Sequence, residues 1–260
     1  MARNPVTRVP VESSTRAPGG QTNVYLVGGE SAALIDPAAR TETLDDEVTA
    51  REVEHVLVTH AHPDHVGAIA DYATETGATV WARTGYEERF VAAAGYEPDR
   101  TLHEGTVIPV AGGVPVLDVP GHAPDHVAFV LDDGVVSGDL ALAQGSVVVD
   151  AEEGDMRGYL TALRRLLAMA PDRLYPGHGP IVEAPRDRLA WLIEHRLDRE
   201  KRVLSAVRDG ATTVESVLDV AYDKDLEGVR DLAGRTVRAH LDKLAIEGRV
   251  TWDGSQASPK

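Results

Sequence analysis

The sequence predicts a mixed α/β fold, with one large domain over residues 1–208 and a small, mostly helical module over residues 209–260. Three observations lead there. Short apolar runs of strand character alternate with amphipathic helical stretches through the first part of the chain. Several of those strands run directly into glycine, histidine or aspartate instead of an ordinary turn. After Asp209-Gly210 the alternation stops, and helical patterns lead to one short β-like piece near the end.

Residues 1–20 hold scattered Arg, Pro, Ser and Gly and read as a flexible lead-in with weak strand character. Asn23-Val24-Tyr25-Leu26-Val27 and Ala32-Ala33-Leu34-Ile35 flank Gly28-Gly29-Glu30, the pattern of a β-hairpin. A helix over 43–49, a buried strand over 53–59, a helix over 65–75 and a strand over 78–82 follow. Residues 106–119 contain two apolar runs broken by Gly112-Gly113. Strands at 127–131 and 135–137 are joined by Asp132-Asp133-Gly134, a strong hairpin turn. A helix over 156–169, a short strand over 173–175 and a long amphipathic helix over 189–207 complete the large domain. Helical patterns at 214–221 and 226–232 precede a longer one at 236–247, which ends at Gly248 before Arg249-Val250-Thr251-Trp252. Two short helices, a longer one and a small β-wing is the order of a winged-helix module.

With 43% apolar residues the chain can bury a substantial core. No apolar stretch is long enough to span a membrane, and the first residues lack the apolar core of a secretory signal, so a cytoplasmic protein with no membrane partner is expected. The absence of cysteine excludes disulfides, thiolate metal sites and a cysteine nucleophile, so any metal must sit on histidine and carboxylate. The net charge of −16, with Arg supplying 22 of 26 basic residues, points to a halophilic protein whose self-repulsion is screened by salt.

His60-Ala61-His62-Pro63-Asp64-His65 follows immediately on the buried strand. Four metal-capable side chains on one strand-end loop can converge, and imidazole with carboxylate suits zinc and similar ions. Pro120-Gly121-His122, Ser137-Gly138-Asp139 and Pro176-Gly177-His178-Gly179 each place one further candidate just past a strand. His55, His103 and His195 lack such a context and are expected to be structural or on the surface; Trp81, Trp191 and Trp252 are expected to pack.

The order HxHxDH, His122, Asp139, His178 resembles the metallo-β-lactamase superfamily over residues 23–182. The resemblance implies a four-layer αββα sandwich with its site at one edge of two facing sheets. It also implies two divalent ions, zinc first, with manganese or iron as alternatives. One ion would take His60, His62 and His122, the other Asp64, His65 and His178, with Asp139 and a hydroxide bridging them. That hydroxide would be the nucleophile of a hydrolase, oriented by Asp64, since two ions ~3.5–4 Å apart bring a water's pKa towards 7. Asp36 matches an aspartate that the superfamily places beneath the site, where it would orient a ligand. His126, four residues past His122, would contact substrate, orient a ligand or serve structure alone.

Gly154-Asp155-Met156 ahead of a helix ending Leu166-Leu167, then Pro176-Gly177-His178-Gly179-Pro180, is similar to the lactamase-β-like protein 2 family. So is His195-Arg196-Leu197-Asp198-Arg199-Glu200 ahead of a small winged helix. That family includes an endoribonuclease, which implies single-stranded RNA as substrate. The alternative is a small-molecule ester or thioester, as in hydroxyacylglutathione hydrolases of the glyoxalase II type, which share the ligands. Charge weighs against RNA, because phosphate binding needs cations, while residues 1–205 carry 18 basic and 32 acidic side chains. Residues 206–260 carry 8 and 10, and Arg235, Arg238 and Lys243 there are candidate nucleic-acid contacts, with a solvated helix face as the plainer reading. A third reading, a winged-helix regulator with an inert sensing site, fits poorly with a complete set of seven ligands. The oligomeric state is left open.

Overall fold

The computed structural model describes residues 5–110, 112–223 and 226–260; the first four residues of the expected lead-in and Ala111, at the end of the first expected apolar run in 106–119, lie outside these. Two compact units emerge. The first comprises Met1–Val119, Asp125–Gly145 and Ala170–Pro185; the second comprises Pro120–Pro124, Ser146–Met169 and Arg186–Lys260.

In the first unit six strands line up in chain order: β1 (Val6–Glu12), β2 (Gln21–Gly28), β3 (Ser31–Ile35), β4 (Glu52–Leu57), β5 (Thr79–Arg83) and β6 (Arg100–Leu102). The pairs β1–β2 and β2–β3 are antiparallel, and β3 to β6 run parallel. Parallel neighbours need crossovers. These are α1 (Glu42–Thr49), then α2 (Pro63–Val66) with α3 (Ile69–Thr76), then α4 (Glu87–Ala94). Helix α1 starts at Thr41, whose hydroxyl accepts from the Leu44 amide at 3.2 Å.

Alternate side chains of β2 feed two different cores. Val24 and Leu26 join Leu44, Val48, Ile69, Tyr72 and Phe90 on the helix side. Tyr25 and Val27 join Leu57, Phe129 and Tyr175 on the other. A strand buried on both faces needs no polar alternation, which is why Val24 to Val27 is a continuous apolar run. Each large side chain so buried contributes ~1.5–3 kcal/mol.

The second sheet has the order β11 (Leu174–Pro176), β10 (Gly134–Gly138), β9 (Val127–Leu131), β8 (Val114–Asp118), β7 (Val107–Ile108). Only β10 and β11 run parallel; the other pairs are antiparallel. Its inner face supplies Val114, Val116, Val127 and Phe129 to the inter-sheet core, where Tyr25 and Tyr175 meet edge to face at 5.8 Å. The first unit is thus layered helix, sheet, sheet.

Some expectations change. The lead-in is an ordered strand from Val6, paired with β2 along its length because Val9 and Val11 alternate into the core. The single helix expected over 65–75 is two. Gly67 passes so close to the Ala38 carbonyl that a Cβ would overlap it, and the Ala68 amide donates to Pro37 O at 2.8 Å instead of continuing the helix. Helix α4 was not foreseen. Among the described residues no helix is long and apolar enough to cross a membrane.

The second unit contains α5 (Met156–Met169), α6 (Pro185–Arg208), α7 (Val214–Ala221), α8 (Arg230–Ile246) and the hairpin β12 (Val250–Trp252) with β13 (Ala257–Pro259). The two helical patterns expected at 226–232 and 236–247 join in α8, which begins at Arg230. Val203, Val207, Val217, Leu218, Val237, Leu241, Leu244 and Val250 form its core. The stretch from His195 to Glu200 ties this unit together. Arg196 donates to Val147 O and lies over the Tyr159 ring, Arg199 donates to Ala221 O, and Glu200 pairs with Lys243 at 2.7 Å.

His240 of α8 is fully buried. Burial, chiefly, pushes its pKa down to about 4; Glu200 opposes this, while Arg196 and Lys243 reinforce it. At 3.8 Å the Glu200 carboxylate is too far for a hydrogen bond. The unfolded chain takes up this proton near pH 6.5 and the folded one only near 4. Stability from the neutral ring is therefore complete above 6.5 and lost as pH falls from there to about 4, a change of roughly 3 kcal/mol. The unfolding midpoint should fall over that window in wild type and fall less in His240→Gln; parallel curves would assign the acid sensitivity to other groups.

Candidate metal centre

Strand β4 is buried at its end and delivers Thr59, His60 and His62 on an extended loop, before Pro63 opens α2 at its first position. One turn of α2 then sets Asp64 and His65 side by side, with the His65 amide donating to His62 O at 2.9 Å. Strand β10 ends at Gly138, in the left-handed region at φ 48°, and hands over to Asp139. Strand β11 ends at Pro176 and hands over to Gly177 and His178. Gly177 has no room for a side chain: a Cβ would overlap the Asp139 carboxylate and stand 2.8 Å from His65 Cε1.

The geometry follows. His65 is fully buried, donates from Nδ1 to Asp36 Oδ2 at 3.0 Å, and turns Nε2 toward Asp139 Oδ1 at 3.7 Å with no hydrogen-bond partner. His178 donates from Nδ1 to Gln21 O at 2.8 Å, and its Nε2 lies 3.2 Å from Asp139 Oδ2 and 3.6 Å from Asp64 Oδ2. The ligand atoms of Asp64, His65 and His178 lie within 4.8 Å of one another, as do those of His60, His65 and Asp139. His60 Nε2 stands 2.8 Å from His62 Nδ1, while His60 Nδ1 meets Thr59 Oγ1 at 3.0 Å. In the second unit, on Pro120–Pro124, His122 donates from Nδ1 to Val148 O at 2.7 Å. In its neutral form a ring whose Nδ1 is the donor presents an unprotonated Nε2, the form a metal requires.

Burial pulls the His65 pKa down, but Asp36, Asp139 and Asp64 outweigh it and push the value up to about 9. His178 is likewise raised, since its contact with Asp139 outweighs burial. Carboxylates so crowded call for positive charge. The donor set (imidazole and carboxylate without thiolate), the unsatisfied His65 Nε2 and the space kept clear by Gly177 fit divalent cations.

Asp36 lies under the cluster in an unusual conformation for a non-glycine residue, φ 55°. Its Oδ1 accepts the Thr59 amide at 2.6 Å, and its Oδ2 accepts Thr59 Oγ1 at 2.8 Å as well as His65. His126 is buried with its ring centroid 4.8 Å from that of His60, beside Gly138.

Sequence reasoning missed the start of β2. Thr22 Oγ1 donates to Asp64 O at 2.8 Å, Asn23 Nδ2 donates to Pro176 O and Gly179 O at 2.8 Å each, and Tyr25 Oη donates to Pro176 O at 2.7 Å. Polar Gln21-Thr22-Asn23 opening an otherwise apolar buried strand was the available signal. His55 sits on β4 against Trp81, His103 is exposed, and His195 stacks on Trp191. Trp191 is 44% exposed and so is no core residue.

The three tail cations are corrected in part. Lys243 is buried, with its ammonium 2.7 Å from Glu200 and 2.8 Å from Glu247, which removes it from any nucleic-acid surface. Arg235 is bound to Asp150 at 2.7 Å, and Arg238 lies 3.9 Å from Glu152.

The metallo-β-lactamase superfamily profile matches residues 17–178, and that of the β-lactamase-associated winged helix domain matches 213–258. The chain belongs to the metallo-β-lactamase superfamily, a family of metal-dependent hydrolases, and the mixed α/β sandwich with a C-terminal winged helix expected from the sequence is its fold. It is 29% identical to a β-lactamase-like protein 2 homolog of Drosophila melanogaster over 88% of this chain and 84% of that protein. It is 30% identical to an atrochrysone carboxyl ACP thioesterase of Aspergillus chevalieri over 91% of this chain and 80% of that protein. A metallo-β-lactamase family protein of Thermus thermophilus shares the fold at TM-score 0.78 and 24% identity, over 98% of each chain.

Proposed function

We propose that the protein hydrolyses a carboxylic ester or thioester at a centre of two divalent ions. The observation that carries this is the convergence of Asp64, Asp139, His65 and His178, with the His65 Nε2 unsatisfied, on a cluster that needs cations. His60 and His62 would hold the other ion, and superfamily membership implies His122 of the Pro120-Gly121-His122 motif as its third ligand. Asp139 lies between His65 and His178 and would be the ligand the two ions share. Imidazole and carboxylate suit zinc, with manganese and iron also compatible. When bound, the ions supply water activation near neutral pH and a positive field for charge developing on the substrate oxygen. Asp64, whose side chain keeps 17% exposure, accepts a hydrogen bond from the attacking water and fixes its direction. His126, at 1% exposure, packs against His60 and orients it rather than touching substrate.

Two observations support an acyl group over a phosphodiester. The three candidate cations Arg235, Arg238 and Lys243 face carboxylates, and the chain carries −16 overall, whereas polynucleotide binding rests on free cations. A relative over most of this chain is named a thioesterase. The same acid-rich surface suits a cytoplasm of high salt. Metal-loaded protein assayed in parallel should release thiol from an N-acetylcysteamine thioester and leave labelled single-stranded RNA whole. Cleaved RNA with an intact thioester would reverse the assignment.

A further inference from the structure

Asp125 belongs to no ligand set above, yet its side chain is only 5% exposed. Its Oδ2 accepts the Ala61 amide at 2.8 Å, and its Oδ1 accepts Arg89 Nε at 3.1 Å from α4. Ala61 is the residue between His60 and His62. Two residues beyond Asp125, the Val127 amide donates to Thr59 O at 2.8 Å. Residues 125–127 therefore grip residues 59–61 at both ends, by main chain at Thr59 and by side chain at Ala61. With its N–H bonded to Asp125, the His60–Ala61 peptide is held in one orientation. That peptide and the Thr59 carbonyl bracket His60 and set where its ring points, and the chain then places His62 so that the two rings converge to 2.8 Å between Nε2 and Nδ1. A buried carboxylate without a cation would cost several kcal/mol. Arg89, with 28% of its side chain exposed, supplies that cation from the rim.

We propose that Asp125, charged and braced by Arg89, is a positioning residue that holds His60 and His62 in the geometry that receives an ion. It rests on the two-ion reading above, and extends it to a residue that touches neither ion nor substrate. Its worth to the site should match that of other groups that hold metal ligands in place, about 10–100-fold in metal affinity. A backbone amide pinned by a charged acceptor is also stiffer than one pinned by a neutral one, since charge-assisted bonds are roughly twice as strong.

The test uses the full chain stripped of metal and titrated with cobalt(II) against a competing chelator, following both affinity and the visible cobalt absorption. Asp125→Ala should weaken binding about 10–100-fold and shift the cobalt band. Asp125→Asn keeps an acceptor for Ala61 but not the charge for Arg89, and should fall between Asp125→Ala and wild type, as should Arg89→Met. Wild-type affinity and spectrum in Asp125→Ala, even with a lowered melting point, would overturn the proposal and leave Asp125 a plain brace of the fold. If Asp125→Ala does not fold, Arg89→Met decides: an unchanged cobalt band and affinity there overturn it equally. A wild-type protein that takes up no cobalt would instead overturn the two-ion reading itself, and this inference with it.

Discussion

Asp139→Ala should lower the hydrolytic rate at least about a hundredfold, the scale of losing a major electrostatic stabiliser, and should leave the protein with fewer bound ions. Asp139 Oδ2 is 3.2 Å from His178 Nε2 and its Oδ1 is 3.7 Å from His65 Nε2, so one carboxylate serves both imidazoles. Without it two divalent charges would face each other with their shared counter-charge removed. Metal analysis alongside single-turnover rates checks this. Wild-type turnover with full metal content would show that Asp139 is outside the centre.

Gly177→Ala should abolish metal uptake and destabilise the fold by about 1–3 kcal/mol, the usual cost of overpacking. The new methyl would overlap the Asp139 carboxylate and press on His65, whose ring is buried and bonded to Asp36. Gly179→Ala provides the comparison. Gly179 has φ 76° but nothing within 4 Å of the added Cβ, so that variant pays only backbone strain, about 1 kcal/mol, and keeps its metal. Denaturant midpoints with and without metal separate the two. Equal metal affinity in both variants would mean that the cleared space at Gly177 is not where an ion sits.

Much of the site was legible because its chemistry is local. His60, His62, Asp64 and His65 stand within six residues, and each later candidate follows a strand and a glycine. The supporting set was not legible for the opposite reason. Thr22, Asn23 and Tyr25 act on backbone carbonyls, at Asp64 and in the loop from Pro176 to Gly179, and carbonyls look the same in any sequence. Only the register of β2 against those loops selects them. Lys243 illustrates the same limit for charge: in the sequence it stands close to Arg235 and Arg238 on one helix, yet packing sets it inward onto Glu200. The break between α2 and α3 depended on the carbonyl of Ala38, which no periodicity reveals. Asp36 was found through family resemblance; its left-handed backbone and its hold on Thr59 and His65 give the physical content.

The bonds from β2 to the last loop of the first unit also govern when the centre comes into being. Gln21, Asn23 and Tyr25 are synthesised early, while Pro176 and His178 lie 151 to 157 residues further on. At ~5–20 residues per second, roughly ten seconds separate His65 from His178 as the chain leaves the ribosome. Until then the nascent chain displays Asp64 and His65 without their third partner, and without the strand β11 that carries it. Fewer ligands hold an ion more weakly, and binding energy is gained only as the ligands are brought together. Capture of the ion assigned to Asp64, His65 and His178 would therefore wait on completion of the second sheet, which carries His178 just past the end of β11.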